Sequence, residues 1–324
     1  MSPLTALRDR ARVARHRIVL PEGTDPRVQD AARRATQDGL AQITLLGDPS
    51  QIAIDGVTVE DPNNSPRVDD MIAAFMEARA RKNPTAEEAA DAIVNPLIYA
   101  ALMVRMGVAD GTIGGAVATT SDTVRAALQM IGTAKGAPLV SSFFLMVLPD
   151  HHPTRPGAGL IFSDCGLVID PNVTELAAIA GQAAASAHEL LGKDPRVAML
   201  SFSTKGSAKH DRVSKVTDAL ELVRATADFA VDGELQFDAA FDADVGASKA
   251  AGSDVAGHAN VFVFPNLDAG NIGYKIAQRI GGATAIGPVL QGLAKPANDL
   301  SRGCTAKDIV DMIAVTSAQV REQV

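Results

Sequence analysis

The sequence has no tryptophan, and aromatic residues are only 4% of its 324 residues. Cores must therefore come from Val, Ile, Leu and Ala, a composition that fits a soluble α/β enzyme. Cysteine is scarce too: Cys165 and Cys304 are too few for a disulfide framework, and neither sits in a Cys-x-x-Cys pair. A reducing, cytoplasmic setting is the expectation. No apolar run is long enough to span a membrane, and the opening "MSPLTALRDRARVARHRIVLPEG" mixes charges where a signal peptide needs an apolar core. Basic charge is short as well, with 30 Lys and Arg against 38 Asp and Glu for a net −8. That balance argues against a general nucleic-acid binder, which needs a basic stripe to displace phosphate counterions. Several motifs are missing. There is no G-x-x-x-x-G-K-[ST] phosphate loop and no G-x-G-x-x-G after a strand. Residues 299–303 fall one glycine short of a nucleophile elbow. His151 and His152 lie in a turn with no third metal ligand at useful spacing, so they read as loop residues.

What is present is alternation. Apolar runs exchange with amphipathic segments, the pattern of a parallel sheet with crossover helices. "RIVLPEG" (17–23) reads as a buried strand, and the helix after it has Asp25 at its cap and Pro26 in its first turn. "AQITLLGDPS" is the next strand, 84–107 is helical with a break near Pro96, and "ADGTIGG" closes a strand on glycines. From "APLVSSFFLMVLPD" onward the strands are stronger and hairpin-like, as far as "ANVFVFPN". The last part, with "TAIGPVLQG" and a terminal helix over 305–323, reads as helical and apolar. A chain this long exceeds the size at which single cores stop growing, so two domains with a cleft are expected. The strand style changes near 140 and near 290.

Four polar, Gly-rich stretches lie where strands give way to helices, the place where open α/β sheets bind ligands. In "GGAVATTSDTVRAALQ" (114–129), Thr119, Thr120 and Ser121 precede a helix with Arg125 one turn in. Helix-start N–H groups, hydroxyls and a guanidinium suit a phosphate, and equally suit a capped helix with a solvated arginine. "SFSTKGSAKHDRV" (201–213) offers Lys205, Lys209 and His210 as an anion-attracting rim, while "FPNLDAGNIGYK" (264–275) also reads as plain turn chemistry. In "NDLSRGCTAKDIV" (298–310), Thr305 is a natural N-cap and Asp308 has capping-box spacing. Asp308 is either a cap or a proton carrier. Cys304 has no His partner in sequence and reads as a small buried hydrophobe.

Taken together and in order, "LPEG…D-P-R", "GAVATTSDTVRAALQ", "AMLSFSTKGSAKHDRVSKVTDAL", "DGELQFDAAF", "FPNLDAGNIGYKIAQR" and "PANDLSRGC" closely resemble the phosphate acetyltransferase family, over the chain from about residue 17 to its end. The resemblance implies two α/β domains of the isocitrate/isopropylmalate dehydrogenase type, with the active site in the interdomain cleft. The first domain would span 1–140, completed by 290–324, and the second 141–289. It further implies the short, stand-alone form, a homodimer, and reversible acetyl transfer between CoA and phosphate to give acetyl phosphate, with no metal or other cofactor and CoA or acetyl-CoA as a substrate. The family's catalytic serine, arginine and aspartate fall on Ser301, Arg302 and Asp308, and one active-site arginine falls on Arg125, with Thr119 and Ser121 beside it. A second arginine belongs in "EARARKNPTAEEA", where Arg79 fits the register best and Arg81 is its neighbour.

Those residue types suit the reaction. A CoA thiol is only partly thiolate at neutral pH, so Asp308 would take its proton. Ser301 would donate to the carbonyl oxygen in the transition state, and Arg302, Arg125 and Arg79 would hold the phosphate. The rival readings are a longer-chain acyltransferase such as a butyryltransferase, a metal-dependent dehydrogenase on the same scaffold, and a non-catalytic phosphate sensor.

Overall fold

A computed structural model describes residues 2–321; Met1 and residues 322–324, which include the last two residues of the expected terminal helix, lie outside it. The chain divides into two compact units, one running from Pro3 to Gly136 and resuming at Leu293, the other spanning Ala137–Gly292.

The first unit opens with α1 (Pro3–Ala14), β1 (Arg17–Leu20), α2 (Pro26–Gln37), β2 (Gln42–Leu46), β3 (Thr58–Glu60) and α3 (Val68–Ala78). It continues with α4 (Ala86–Ile93), α5 (Pro96–Arg105), β4 (Gly111–Gly114) and α6 (Thr120–Met130). Local chemistry sets the helix starts. Asp25 accepts from the Arg27 N–H and Pro26 opens α2, while Asn95 caps α5 and Pro96 supplies the break expected there.

The second unit holds β5 (Ser141–Val147), β6 (Gly159–Ser163), α7 (Val173–Leu191), β7 (Arg196–Leu200), α8 (Asp211–Arg224) and β8 (Ala230–Leu235). Then come α9 (Phe237–Phe241), α10 (Ala243–Lys249), β9 (Val261–Val263), α11 (Leu267–Arg279) and β10 (Thr284–Gln291). Its sheet runs β10-β5-β6-β9-β7-β8. The expected β5–β6 pairing is antiparallel. The stretch read as helical, "TAIGPVLQG", is instead the edge strand β10, antiparallel to β5 with a register shift between Ile286 and Val289. Pro288 falls at that irregularity, and proline is tolerated in sheets at edges and bulges.

The chain then returns to the first unit as β11 (Ala297–Asp299) and α12 (Ala306–Ala318). Here the sheet order is β11-β4-β1-β2-β3, and every pairing is parallel. α12 is buried on all sides from Ile309 to Ala318, and its one acid there, Asp311, is paired with Arg8 and Lys307. This topology puts the neighbouring strands β1, β4 and β11 side by side with their carboxyl ends at one edge. The loops that leave them, 21–25, 115–119 and 300–305, start α2, α6 and α12 together.

Candidate active site

The loop after β11 carries Ser301 and Arg302, both exposed. Ser301 Oγ accepts the Gly303 N–H at 3.3 Å, so its own proton remains available to donate. Arg302 has no ion pair or side-chain hydrogen bond among the described residues; its carbonyl, by contrast, is fixed from elsewhere. Asp308 forms a complete capping box with Thr305. Its Oδ2 accepts both the Thr305 N–H and the Thr305 hydroxyl at 2.8 Å. Among the described residues Oδ1 has no partner. One oxygen of this carboxylate caps the helix and the other stays open.

The loop after β4 leads into α6, where Thr119 caps the helix by accepting the Asp122 N–H and donating its hydroxyl to the Asp122 carboxylate. Arg125 reaches back to Asp122 Oδ1 at 2.9 Å and donates to Ser121 Oγ at 3.0 Å, on the exposed side of α6. The N–H groups ahead of the helix are not open to a ligand. Glu22, at the end of β1, accepts from Ala116, Val117 and Ala118 at 2.7, 2.9 and 2.7 Å. Of the elements proposed for phosphate from sequence, the arginine and the Ser121 hydroxyl remain, since Thr119 donates to Asp122 and Thr120 to Asp299.

Two further contacts hold the β4 and β11 loops together. Thr120 donates to Asp299 Oδ2 at 2.6 Å. Gly115 adopts φ +96°, and a Cβ there would meet Asp299 Oδ1 at 2.2 Å and the Leu300 backbone at 2.8 Å, so only glycine fits. Asp299 is fully buried, its Oδ1 has no hydrogen-bond partner, and burial lifts its carboxyl to about 6.

Among the described residues the Arg79 side chain makes no hydrogen bond or ion pair to this cluster. The residue caps the end of α3, next to Glu77, whose carboxylate pairs with Arg105. Arg105 also donates to the carbonyl of Met130, the last residue of α6. The eleven residues of α6 separate that end from Thr119 by about 16 Å. Arg81 lies on the short 3₁₀ turn just beyond and is exposed.

Parts of the remaining stretches are engaged in contacts within the protein. "SFSTKGSAKHDRV" folds around an internal anion, because Glu234 accepts from the Ser203 hydroxyl and the Gly206 N–H while Lys205 pairs with Asp232. Asn266 caps α11, and His152 accepts backbone N–H groups of Thr154 and Arg155 in a turn. Cys304 is buried with its thiol pushed up by that burial. Sequence reading assigned no part to Glu22 or Arg27, although "LPEG…D-P-R" ends a strand at the ligand-binding edge of the sheet, and that position was the available signal.

Comparison with known proteins agrees with this picture. A model of the family described as phosphate acetyl/butaryl transferase matches residues 3–317. The phosphate acetyltransferase of Paracoccus denitrificans is 53% identical over 326 residues, covering 99% of this chain and 100% of that protein. That of Thermoanaerobacterium thermosaccharolyticum is 46% identical over 329 residues, with 99% and 100% covered. Among solved structures, the EutD phosphotransacetylase from Staphylococcus aureus superposes with a TM-score of 0.90 at 41% identity, over 98% of each chain. The 4-hydroxythreonine-4-phosphate dehydrogenase from Klebsiella pneumoniae, at 12% identity and a TM-score of 0.52 over 94% of this chain and 100% of that one, shares the α/β fold alone.

Proposed function

We infer that this chain, which belongs to the phosphate acetyl/butaryl transferase family, works as a phosphate acetyltransferase, moving an acetyl group reversibly between CoA and inorganic phosphate. The acetyl reading is preferred over butyryl because the relatives at 46% to 53% identity are phosphate acetyltransferases.

In the direction of acetyl-CoA, the CoA sulfur attacks the carbonyl carbon of acetyl phosphate. A C–S bond forms, the C–O bond to phosphate breaks, and the thiol proton goes to a base. Asp308 is that base, and the observation carrying the reading is the division of labour between its oxygens: Oδ2 is spent on Thr305 and Oδ1 is open. Holding one oxygen in the cap fixes the other without consuming it. Ser301 donates its proton to the carbonyl oxygen as charge gathers there, a contact typically worth on the order of 2.7–4 kcal/mol. The unpaired guanidinium of Arg302 and the exposed Arg125 hold the phosphate as it leaves, matching its oxygens with planar forks. Thr119 and Ser121 orient the first turn of α6 and, through it, Arg125. Arg79, at the end of α3 with Arg81 as its neighbour, is kept as the second active-site arginine that the family motif calls for. Positive side chains supply the charge stabilisation, and the scheme uses no metal or other cofactor.

We further propose a cytoplasmic homodimer. A stripe of isoleucines along α11 and its C-cap supports the dimer: Ile272, Ile276 and the cap residue Ile280, spaced four apart, are 58%, 53% and 84% exposed. For localisation, the support is the need for CoA and the two free, buried cysteines. Among the described residues no helix is long and apolar enough to cross a membrane.

The test of the base is Asp308→Asn, because an amide oxygen can still cap Thr305 while losing the proton affinity. Turnover in thioester formation should fall by about 10²–10⁴-fold, with unfolding free energy changed by less than about 1 kcal/mol. Near-native turnover would remove Asp308 from the chemistry.

A further inference from the structure

Arg27 has used every hydrogen it can donate. Its Nε and one Nη2 hydrogen go to Asp25, at 3.1 and 2.8 Å. The other Nη2 hydrogen goes to the carbonyl of Ala116 at 2.7 Å. Nη1 gives one hydrogen to the carbonyl of Arg302 at 2.7 Å and one to that of Cys304 at 3.1 Å. A guanidinium carries five N–H donors in a fixed fork, and here five acceptors are served. Nothing is left for an anionic substrate.

The acceptors identify the task. Three of them are main-chain carbonyls on the two loops that carry the reacting groups, one loop after β4 and one after β11. The Ala116 backbone is held at both its polar groups, with its N–H on Glu22 and its carbonyl on Arg27. The Arg302 and Cys304 carbonyls bracket Gly303, immediately after Ser301 and Arg302. Gly303 has an exposed backbone and no side chain to pack, and Ser301 and Arg302 are themselves exposed. The turn closes on itself, with the Cys304 N–H on the Ser301 carbonyl at 2.8 Å and the Gly303 N–H on Ser301 Oγ at 3.3 Å, and Arg27 clamps two of its carbonyls to the loop after β4. Asp25 keeps the clamp aimed: it accepts from Nε and Nη2 while capping α2, and hydrogen bonds from Arg27 hold its carboxyl below the usual range.

We propose that Arg27 is a positioning residue for acetyl transfer, fixing the Ser301–Arg302 turn against the start of α6 through carbonyls alone. The proposal rests on the reading of Ser301 and Arg302 given above. It separates Arg27 from the other arginines of the site: Arg302 and Arg125 meet substrate with their side chains, whereas Arg27 meets only protein. Lysine cannot replace it, because one ammonium cannot reach three carbonyls and a carboxylate in a planar array.

The experiment uses the full chain with Arg27→Lys and Arg27→Ala, compared with Arg17→Ala, which removes an exposed ion pair to Asp110 away from the site. Activity is expressed per folded molecule. Both Arg27 variants should lose about tenfold or more in kcat, the KM for acetyl phosphate should change less than threefold (about half a decade), and Arg17→Ala should keep native turnover. Amide hydrogen exchange supplies a second readout that does not depend on which reaction the enzyme runs. Residues 300–304 should exchange faster in both Arg27 variants and unchanged in Arg17→Ala. Turnover within twofold of native per folded molecule, or unchanged exchange at 300–304, overturns the proposal. Loss of acetyl transfer from the native chain would instead overturn the reaction, leaving the exchange result to decide on the clamp.

Discussion

At the scale of single residues, the site depends on groups whose two ends do different things. Asp308 caps with one oxygen and leaves the other open, and the backbone of Ala116 is held at its N–H by Glu22 and at its carbonyl by Arg27. Asp299 is the costly member. Its folded-state carboxyl lies at about 6, above the ordinary value, because burial opposes ionisation. A raised acid favours the folded state while it is protonated; the cost is absent below the unfolded value near pH 4 and grows as pH rises through about 6, reaching about 3 kcal/mol. Asp299→Asn removes that cost and keeps an acceptor for Thr120. Measured by denaturant unfolding, the variant should gain stability relative to the native chain by roughly 2–3 kcal/mol between about pH 4 and about pH 8. An unchanged difference across that range would show that Asp299 is not paying for burial. Sequence singled out Asp308 but was silent on Asp299, Glu22 and Arg27. Apart from Asp25, two residues from Arg27, their side-chain partners lie 89 to 277 residues away along the chain, and no local pattern encodes such a pairing.

Elements were most legible where their ends carry their own chemistry. Asp25-Pro26, Asn95-Pro96 and Thr305-x-x-Asp308 each start a helix where the sequence placed one, since cap and first turn are adjacent in the chain. β10 was misread because its character comes from β5, against which it lies as an antiparallel edge, and not from its own Gly-Pro content. The three-residue strand β11 was likewise hidden, although it fixes the position of Ser301, because only its pairing with β4 makes it a strand. α11 presents the opposite case, a helix whose outward face is more apolar than solvent exposure suits. If that face meets a second copy, Ile276→Asp places a charge within it. Light scattering should then show native protein at twice the chain mass and the variant at the chain mass, with turnover per folded chain retained. A native protein at the chain mass would refute the dimer.

For the whole molecule, composition pointed to an α/β enzyme and argued against a disulfide scaffold and a general nucleic-acid binder, but motifs spread across the sequence were needed to reach a reaction. The physical reason is visible in the first unit's sheet. Three neighbouring parallel strands, taken from residues 17–20, 111–114 and 297–299, gather loops that the sequence separates widely. Arg79 shows the limit of that reasoning, since its motif matched while, among the described residues, its side chain makes no hydrogen bond or ion pair to the other site residues. The central claim is acetyl transfer between phosphate and CoA. Its most direct measurement is the rate of thioester formation from CoA with acetyl phosphate and, separately, with butyryl phosphate, followed by thioester absorbance. The account predicts turnover on acetyl phosphate of about 1–10³ per second and a lower kcat/KM for butyryl phosphate. No thioester from acetyl phosphate, or a higher kcat/KM for butyryl phosphate, would contradict it.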